Sequence, residues 1–236
     1  MSKILVIPDI HGRSFWKEPC KNWRDTIIFL GDYHDPYGEY VDEEPNNEKS
    51  LINLRELSDF VKQRESERPF FTICLLGNHD LPYFTGNLKC RYDKANEKEV
   101  KSLIESLHPQ VTYELWDETV EPINKFLFSH AGFTLNWINW HSLSINDLSK
   151  LNTSCQALEE VPYSRGGYYQ YGSCIWNSLE DYQCEKHIPG YYQIFGHTWG
   201  GRTEPVITDS YAMLDCCKPF VLNTETKQIE EWKSDL

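Results

Sequence analysis

The stretch that decides the fold is ILVIPDIHG, residues 4–12. Four consecutive apolar residues, three of them β-branched, predict a strand buried on both faces, as in a sheet covered on either side. The run then stops at Pro8 and delivers Asp9 and His11, side chains that burial penalises. These two stand two residues apart, so on an extended backbone they point the same way and can share one ligand.

Working outward, the pattern repeats. TIIFL (26–30) ends at Gly31-Asp32-Tyr33-His34-Asp35, and PFFTICLL (69–76) ends at Gly77-Asn78-His79-Asp80. KFLFSH (125–130) leads into Ala131-Gly132, and YYQIFGH (191–197) into Thr198. Between these runs, residues 48–66 and 95–107 read as helices with Leu51, Leu54, Leu57 and Val61, then Val100, Leu103, Ile104 and Leu107, on one face. Further strands are expected at 111–118, 204–209, 211–215 and near the end (PFVLN and IEEW), and helical signals run from 133 to 160. Residues 35–48 are polar with two prolines and read as a surface loop. The order is βαβ-like in the first half and mainly β in the second, without repeats or a linker. One α/β domain spanning 1–236 is the expectation.

Composition narrows the function. A hydrophobic content of 40% is that of a folded chain. No apolar run approaches the ~20 residues of a membrane helix, and no signal peptide is evident. The eight cysteines form no CxxC pair, so they read as reduced thiols in a cytoplasmic protein rather than as disulfides or a zinc knuckle. A net charge of −13 argues against general nucleic-acid binding, which needs Lys and Arg to displace counterions from phosphates.

In open α/β sheets, ligands gather beyond the carboxyl ends of the strands. Five strand ends supplying Asp9, His11, Asp32, Asn78, His130 and His197 to one edge make a metal site. Carboxylate, amide and imidazole donors without thiolates suit Mn, Fe or Zn better than calcium.

The ordered series DIHG (9–12), GDYHD (31–35), GNHD (77–80), SHAG (129–132) and GHT (196–198) resembles the calcineurin-like metallophosphoesterases, and within them the phosphoprotein (Ser/Thr) phosphatase branch. The resemblance implies a β-sandwich flanked by helices, with a dinuclear metal site at the strand ends. It implies that Asp9 and His11 hold one divalent ion, that Asp32 bridges, and that Asn78, His130 and His197 complete the second. His79 would be the general acid facing the leaving group, with Asp35 orienting its ring. A metal-bridging hydroxide would then attack a phosphomonoester, since paired cations ~3.5–4 Å apart clamp a phosphoryl group and acidify water.

Two departures qualify that reading. Trp199 stands where many phosphodiesterases and nucleases of the family carry a second histidine in GHxH. Pro36-Tyr37 follows Asp35, where the phosphatase branch places a phosphate-binding arginine. The substrate phosphate must therefore find its cation elsewhere. Arg165 in SRGGYY is the first candidate, followed by Arg91 in KCRYD and by Arg13. The expected partner is a phosphorylated substrate, either a small molecule or a phosphoprotein. The competing readings are a dinucleoside polyphosphate or nucleotide phosphoanhydride hydrolase, a phosphodiesterase, and a non-catalytic binding module.

Overall fold

A computed structural model describes residues 3–37, 45–87 and 89–234. In chain order it contains β1 (Lys3–Ile7), α1 (Lys17–Asn22), β2 (Ile27–Phe29), α2 (Asn47–Glu67), β3 (Thr72–Cys74), α3 (Pro82–Thr85), α4 (Glu97–Glu105), β4 (Thr112–Asp117), β5 (Asn124–Ser129) and α5 (Leu135–Trp140). Then follow three short 3-10 turns, α6 (Leu179–Cys184), β6 (Tyr192–Phe195), β7 (Val206–Ile207), β8 (Tyr211–Met213), β9 (Phe220–Asn223) and β10 (Ile229–Glu231).

The strands form two five-stranded sheets, ordered β10-β9-β1-β2-β3 and β4-β5-β6-β8-β7. Alternation along β1 shows why its sequence is apolar throughout. Ile4 and Val6 face the second sheet and pack with Phe126, Phe128, Ile194 and Leu214. Leu5 and Ile7 face outward, onto Leu51, Leu54, Leu57 and Val61 of α2 and Val100 and Ile104 of α4. On the other flank, α5 and the 3-10 turns cover the second sheet through Trp137, Leu148, Leu158 and Phe133. The molecule is thus a β-sandwich with helices outside, as the resemblance implies.

Register places the site. β1, β2 and β3 run parallel to one another, and so do β5, β6 and β8. Parallel strands release their carboxyl ends on one edge, and this edge receives Asp9, Asp32, Asn78, His130 and His197.

The differences from sequence expectation are local. Helical signal over 133–160 yields one helix of six residues and then 3-10 turns, where the Ser144 hydroxyl accepts the Asn146 backbone N–H and the Asn152 side chain bonds the Lys150 carbonyl and the Ser154 backbone N–H rather than continue a helix. The strand expected over 69–76 is confined to β3, since Phe70 adopts φ 70° and breaks the extended run. Helices α1, α3 and α6 are four to six residues long, too short for an apolar period to show. Of the loop expected at 35–48, residues 38–44 lie outside the described residues. All eight cysteines are free thiols, and no described helix is long and apolar enough to cross a membrane.

Candidate metal centre

The six expected ligands converge. Asp32 Oδ2 lies 3.3 Å from His11 Nε2 and 3.4 Å from His130 Nε2, placing this carboxylate between two histidines. Asn78 Oδ1 is 3.0 Å from His130 Nε2 and 2.9 Å from His197 Nδ1. Asp9 Oδ1 accepts the His197 backbone N–H at 2.8 Å and lies 3.7 Å from His130 Nε2. Two overlapping groups have ligand atoms close enough to hold an ion, namely His11, Asp32 and His79, and Asp32, His130 and His197.

The backbone is bent to bring them together. His11, Asp32, Asp35 and His197 all adopt positive φ, between 46° and 69°. Such conformations cost about 1–3 kcal/mol each in non-glycine residues and persist where tertiary contacts enforce them. Asp80 is one such contact. Its carboxylate is fully buried and accepts backbone N–H groups from Asp32 (2.8 Å), Tyr33 (3.1 Å) and Gly77 (2.8 Å). It therefore ties the loop after β2 to the loop after β3.

Donor chemistry tests the site for a cation. His130 Nδ1 faces the Leu30 carbonyl at 2.8 Å and His11 Nδ1 faces the Asp35 carbonyl at 3.1 Å. A carbonyl only accepts, so each Nδ1 carries a proton and each neutral Nε2 turns a lone pair inward. Asp9 Oδ2 and His197 Nε2 are buried without a hydrogen-bond partner. Inward lone pairs and orphaned acceptors fit divalent cations. Without one, protons take up the deficit. Burial disfavours the charged ring of His130, yet Asp32 and Asp9 push its pKa up to about 10. Burial would raise Asp32, but His130 and His79 hold its carboxyl well below the usual range. Burial, with Arg165 and His130 nearby, keeps His197 neutral well below its ordinary pKa.

His79 differs from these ligands. Its Nδ1 lies 3.3 Å from Asp35 Oδ2. Burial opposes a charge on the ring, but Asp32 and Asp35 overcome it and raise the pKa well above the histidine range. A network missed by sequence reading stands behind this pair. Tyr83 Oη donates to Asp35 Oδ1 at 3.1 Å and accepts the Asp93 backbone N–H at 3.1 Å. Asp93 Oδ2 pairs with His34 Nε2 at 3.1 Å, and His34 Nδ1 meets Ser50 Oγ at 2.7 Å. Tyr83 and Asp93 carried no signal because their partners lie 48 and 59 residues away.

The three arginines divide. Arg13 and Arg165 line the site cavity with His11, His79, His197 and Trp199. Arg13 is buried, with its guanidinium 5.4 Å from the Tyr37 ring centre and 5.7 Å from that of Trp199. Arg165 donates to Thr198 Oγ1 at 2.9 Å. Arg91 does not line that cavity. It donates to the carbonyls of Pro36 (2.9 Å) and Asp35 (3.0 Å) and stacks 3.9 Å over Tyr37. Its fork is spent on holding the loop that carries Asp35.

Two glycines leave room for the carboxylates. A Cβ on Gly77 would stand 2.0 Å from Asp32 Oδ1, and one on Gly196 would stand 1.9 Å from Asp9 Oδ2. Gly77→Ala and Gly196→Ala are each expected to cut turnover by about 100-fold at unchanged circular dichroism, the effect of displacing a positioned group by ~1 Å. Turnover within a factor of three of wild type would show that these carboxylates have slack.

Comparison with known proteins agrees with this geometry. A family model for calcineurin-like phosphoesterases matches residues 2–199. A cold-active protein-tyrosine phosphatase from a psychrophilic Shewanella species superposes with a TM-score of 0.61 at 13% identity, covering 99% of this chain and 81% of that one. A Saccharomyces cerevisiae protein serine/threonine phosphatase with similarity to human PP5 superposes with a TM-score of 0.56, also at 13% identity, covering 98% and 80%. No curated protein matches by sequence. At such identity these likenesses establish the fold alone, and the two neighbours act on different phosphorylated residues.

Proposed function

The chain belongs to the calcineurin-like phosphoesterase family, and on that premise we propose that it is a single-domain, two-cation phosphomonoesterase of a reducing compartment. Asp9, His11 and Asp32 would hold one cation, and Asp32, Asn78, His130 and His197 the other. Bound divalent cations would supply charge neutralisation and water of lowered pKa.

One observation carries the monoesterase reading. The His79 imidazole, 3.3 Å from Asp35 Oδ2, stands in the same cavity as the cation ligands, and Asp32 and Asp35 favour its protonated form. A departing alkoxide needs a proton, whereas p-nitrophenolate leaves without one. The His79–Asp35 pair is therefore most useful against alkyl esters, the class that includes phosphoserine and phosphothreonine. Arg13 and Arg165 would take the non-bridging phosphate oxygens, because guanidinium forks match that geometry. Arg91 is left out of that role, since its donors are already committed.

The test is hydrolysis of p-nitrophenyl phosphate, bis-p-nitrophenyl phosphate and an alkyl monoester by chelated protein resupplied with Mn²⁺. Metal-restored turnover of both monoesters is the expected result. Preference for the diester would overturn the monoesterase reading. No turnover with cations bound would point to phosphoanhydrides instead.

The network behind His79 yields a sharper expectation. His79→Ala should slow the alkyl ester by about 100-fold or more, the usual share of a general acid, and the nitrophenyl ester far less. Tyr83→Phe should follow the same leaving-group pattern at about a tenth of that size, as outer partners of an active group do. Equal losses on both esters would rule out the acid role.

A further inference from the structure

Asp215 follows β8, which runs parallel to β6 and so delivers its carboxyl end beside His197. Read as sequence, YAMLD is only a strand. Folded, the Asp215 side chain is 4% exposed and lines the site cavity with His11, Asp32 and His197. Among the described residues, no group stands at hydrogen-bond or ion-pair distance from its carboxylate, although the Arg13 and Arg165 guanidiniums line the same cavity.

That condition is unlike the other buried carboxylates near the site. Asp80 accepts three backbone N–H groups, Asp35 meets His79 and Tyr83, and Asp93 meets His34 and Asn96. A structural carboxylate left without donors is a large cost that folding gains nothing from. Asp9 itself has a buried oxygen without a partner. Asp9, bonded to the His197 backbone, and Asp215, lining the cavity with His197, thus bring two buried and incompletely satisfied carboxylates to one strand edge.

We propose that Asp215 supplies a further carboxylate to the cation held by Asp9, His11 and Asp32. The inference rests on the two-cation reading above. After His197 the chain offers this ion no further imidazole, since Trp199 follows and its indole donates to the Arg202 carbonyl at 3.0 Å. A position built from three carboxylates and one imidazole is rich in hard oxygen donors, so it favours Mn²⁺ over Zn²⁺ more than an imidazole-rich one does.

The test is calorimetric titration of Mn²⁺ into chelated protein, with melting curves of the metal-free and loaded forms. Wild type should bind two ions. Asp215→Asn keeps the shape and removes the charge. It should weaken one ion by about 10-fold or more, leave the other unchanged, and reduce the rise in melting temperature on adding Mn²⁺. The metal-free variant should melt no lower than wild type. A drop of several degrees in the metal-free form would mark a structural residue and overturn the inference, as would two unchanged Mn²⁺ affinities or an equal loss in both. Failure of wild type to bind Mn²⁺ at all would instead remove the two-cation reading itself.

Discussion

Asp32→Asn is expected to abolish turnover and lower the affinity for both cations while the fold stays intact. The amide matches the carboxylate in shape, and its oxygen can still accept the His79 backbone N–H, now bonded to Oδ1 at 2.9 Å. The other oxygen is the one that matters. It lies within 3.4 Å of both His11 and His130, and replacing it with NH₂ would turn a donor toward both proposed cation positions. Losing a shared anion from a two-cation site removes several kcal/mol of transition-state stabilisation, or about 1,000-fold in rate or more. Circular dichroism should be unchanged, while Mn²⁺ calorimetry should show weakened binding at both positions. Two undiminished Mn²⁺ sites, or turnover within 10-fold of wild type, would remove Asp32 from the bridging position.

The largest effect on stability is expected at Asp80. Asp80→Ala leaves the N–H groups of Asp32, Tyr33 and Gly77 buried with no acceptor. Each orphaned buried donor costs about 1–3 kcal/mol, so a loss of about 4 kcal/mol is expected, large against the 5–15 kcal/mol of a whole domain. Urea unfolding of the metal-free protein measures it directly, and a loss below ~1 kcal/mol would mean that the two loops hold without this tie.

The same residue sets a pH dependence. Burial and the charge of Asp32 raise its carboxyl from 3.8 to about 7, against the pull of its three N–H donors. The folded protein therefore keeps a proton that the unfolded chain has released between 3.8 and about 7. By linkage, this contribution to stability is full below that window and lost as pH rises through it. Asp80→Asn cannot ionise and should flatten that part of the slope in metal-free protein.

Much of the site was legible because its signals are local. A strand end followed by Asp-x-His, or by Gly-Asn-His, is written in consecutive residues, and parallel strands bring such ends to one edge whatever lies between them. The apolar runs at 4–7 and 26–30 likewise announced a sheet covered on both faces. The helical signal over 133–160 misled because apolar spacing there competes with Ser144 and Asn152 side chains that bond to nearby backbone. Arg91 looked like a phosphate ligand because composition and proximity to GNHD do not reveal where a guanidinium is spent.

What the sequence by itself determined was the kind of chemistry: which donors end which strands, and that these donors suit divalent cations. Only the tertiary structure decided how the donors are held and which further residues join them. Asp80 has no reason to matter until Asp32 and Tyr33, 48 and 47 residues away, point their N–H groups at it. Tyr83 acts on His79 only through Asp35, and Asp215 enters the cavity only because β8 pairs beside β6. Strand ends are short-range features set by a few adjacent residues. Hydrogen-bond partners and missing partners belong to chain segments that folding alone brings together, such as Asp9 and His197 at a separation of 188 residues.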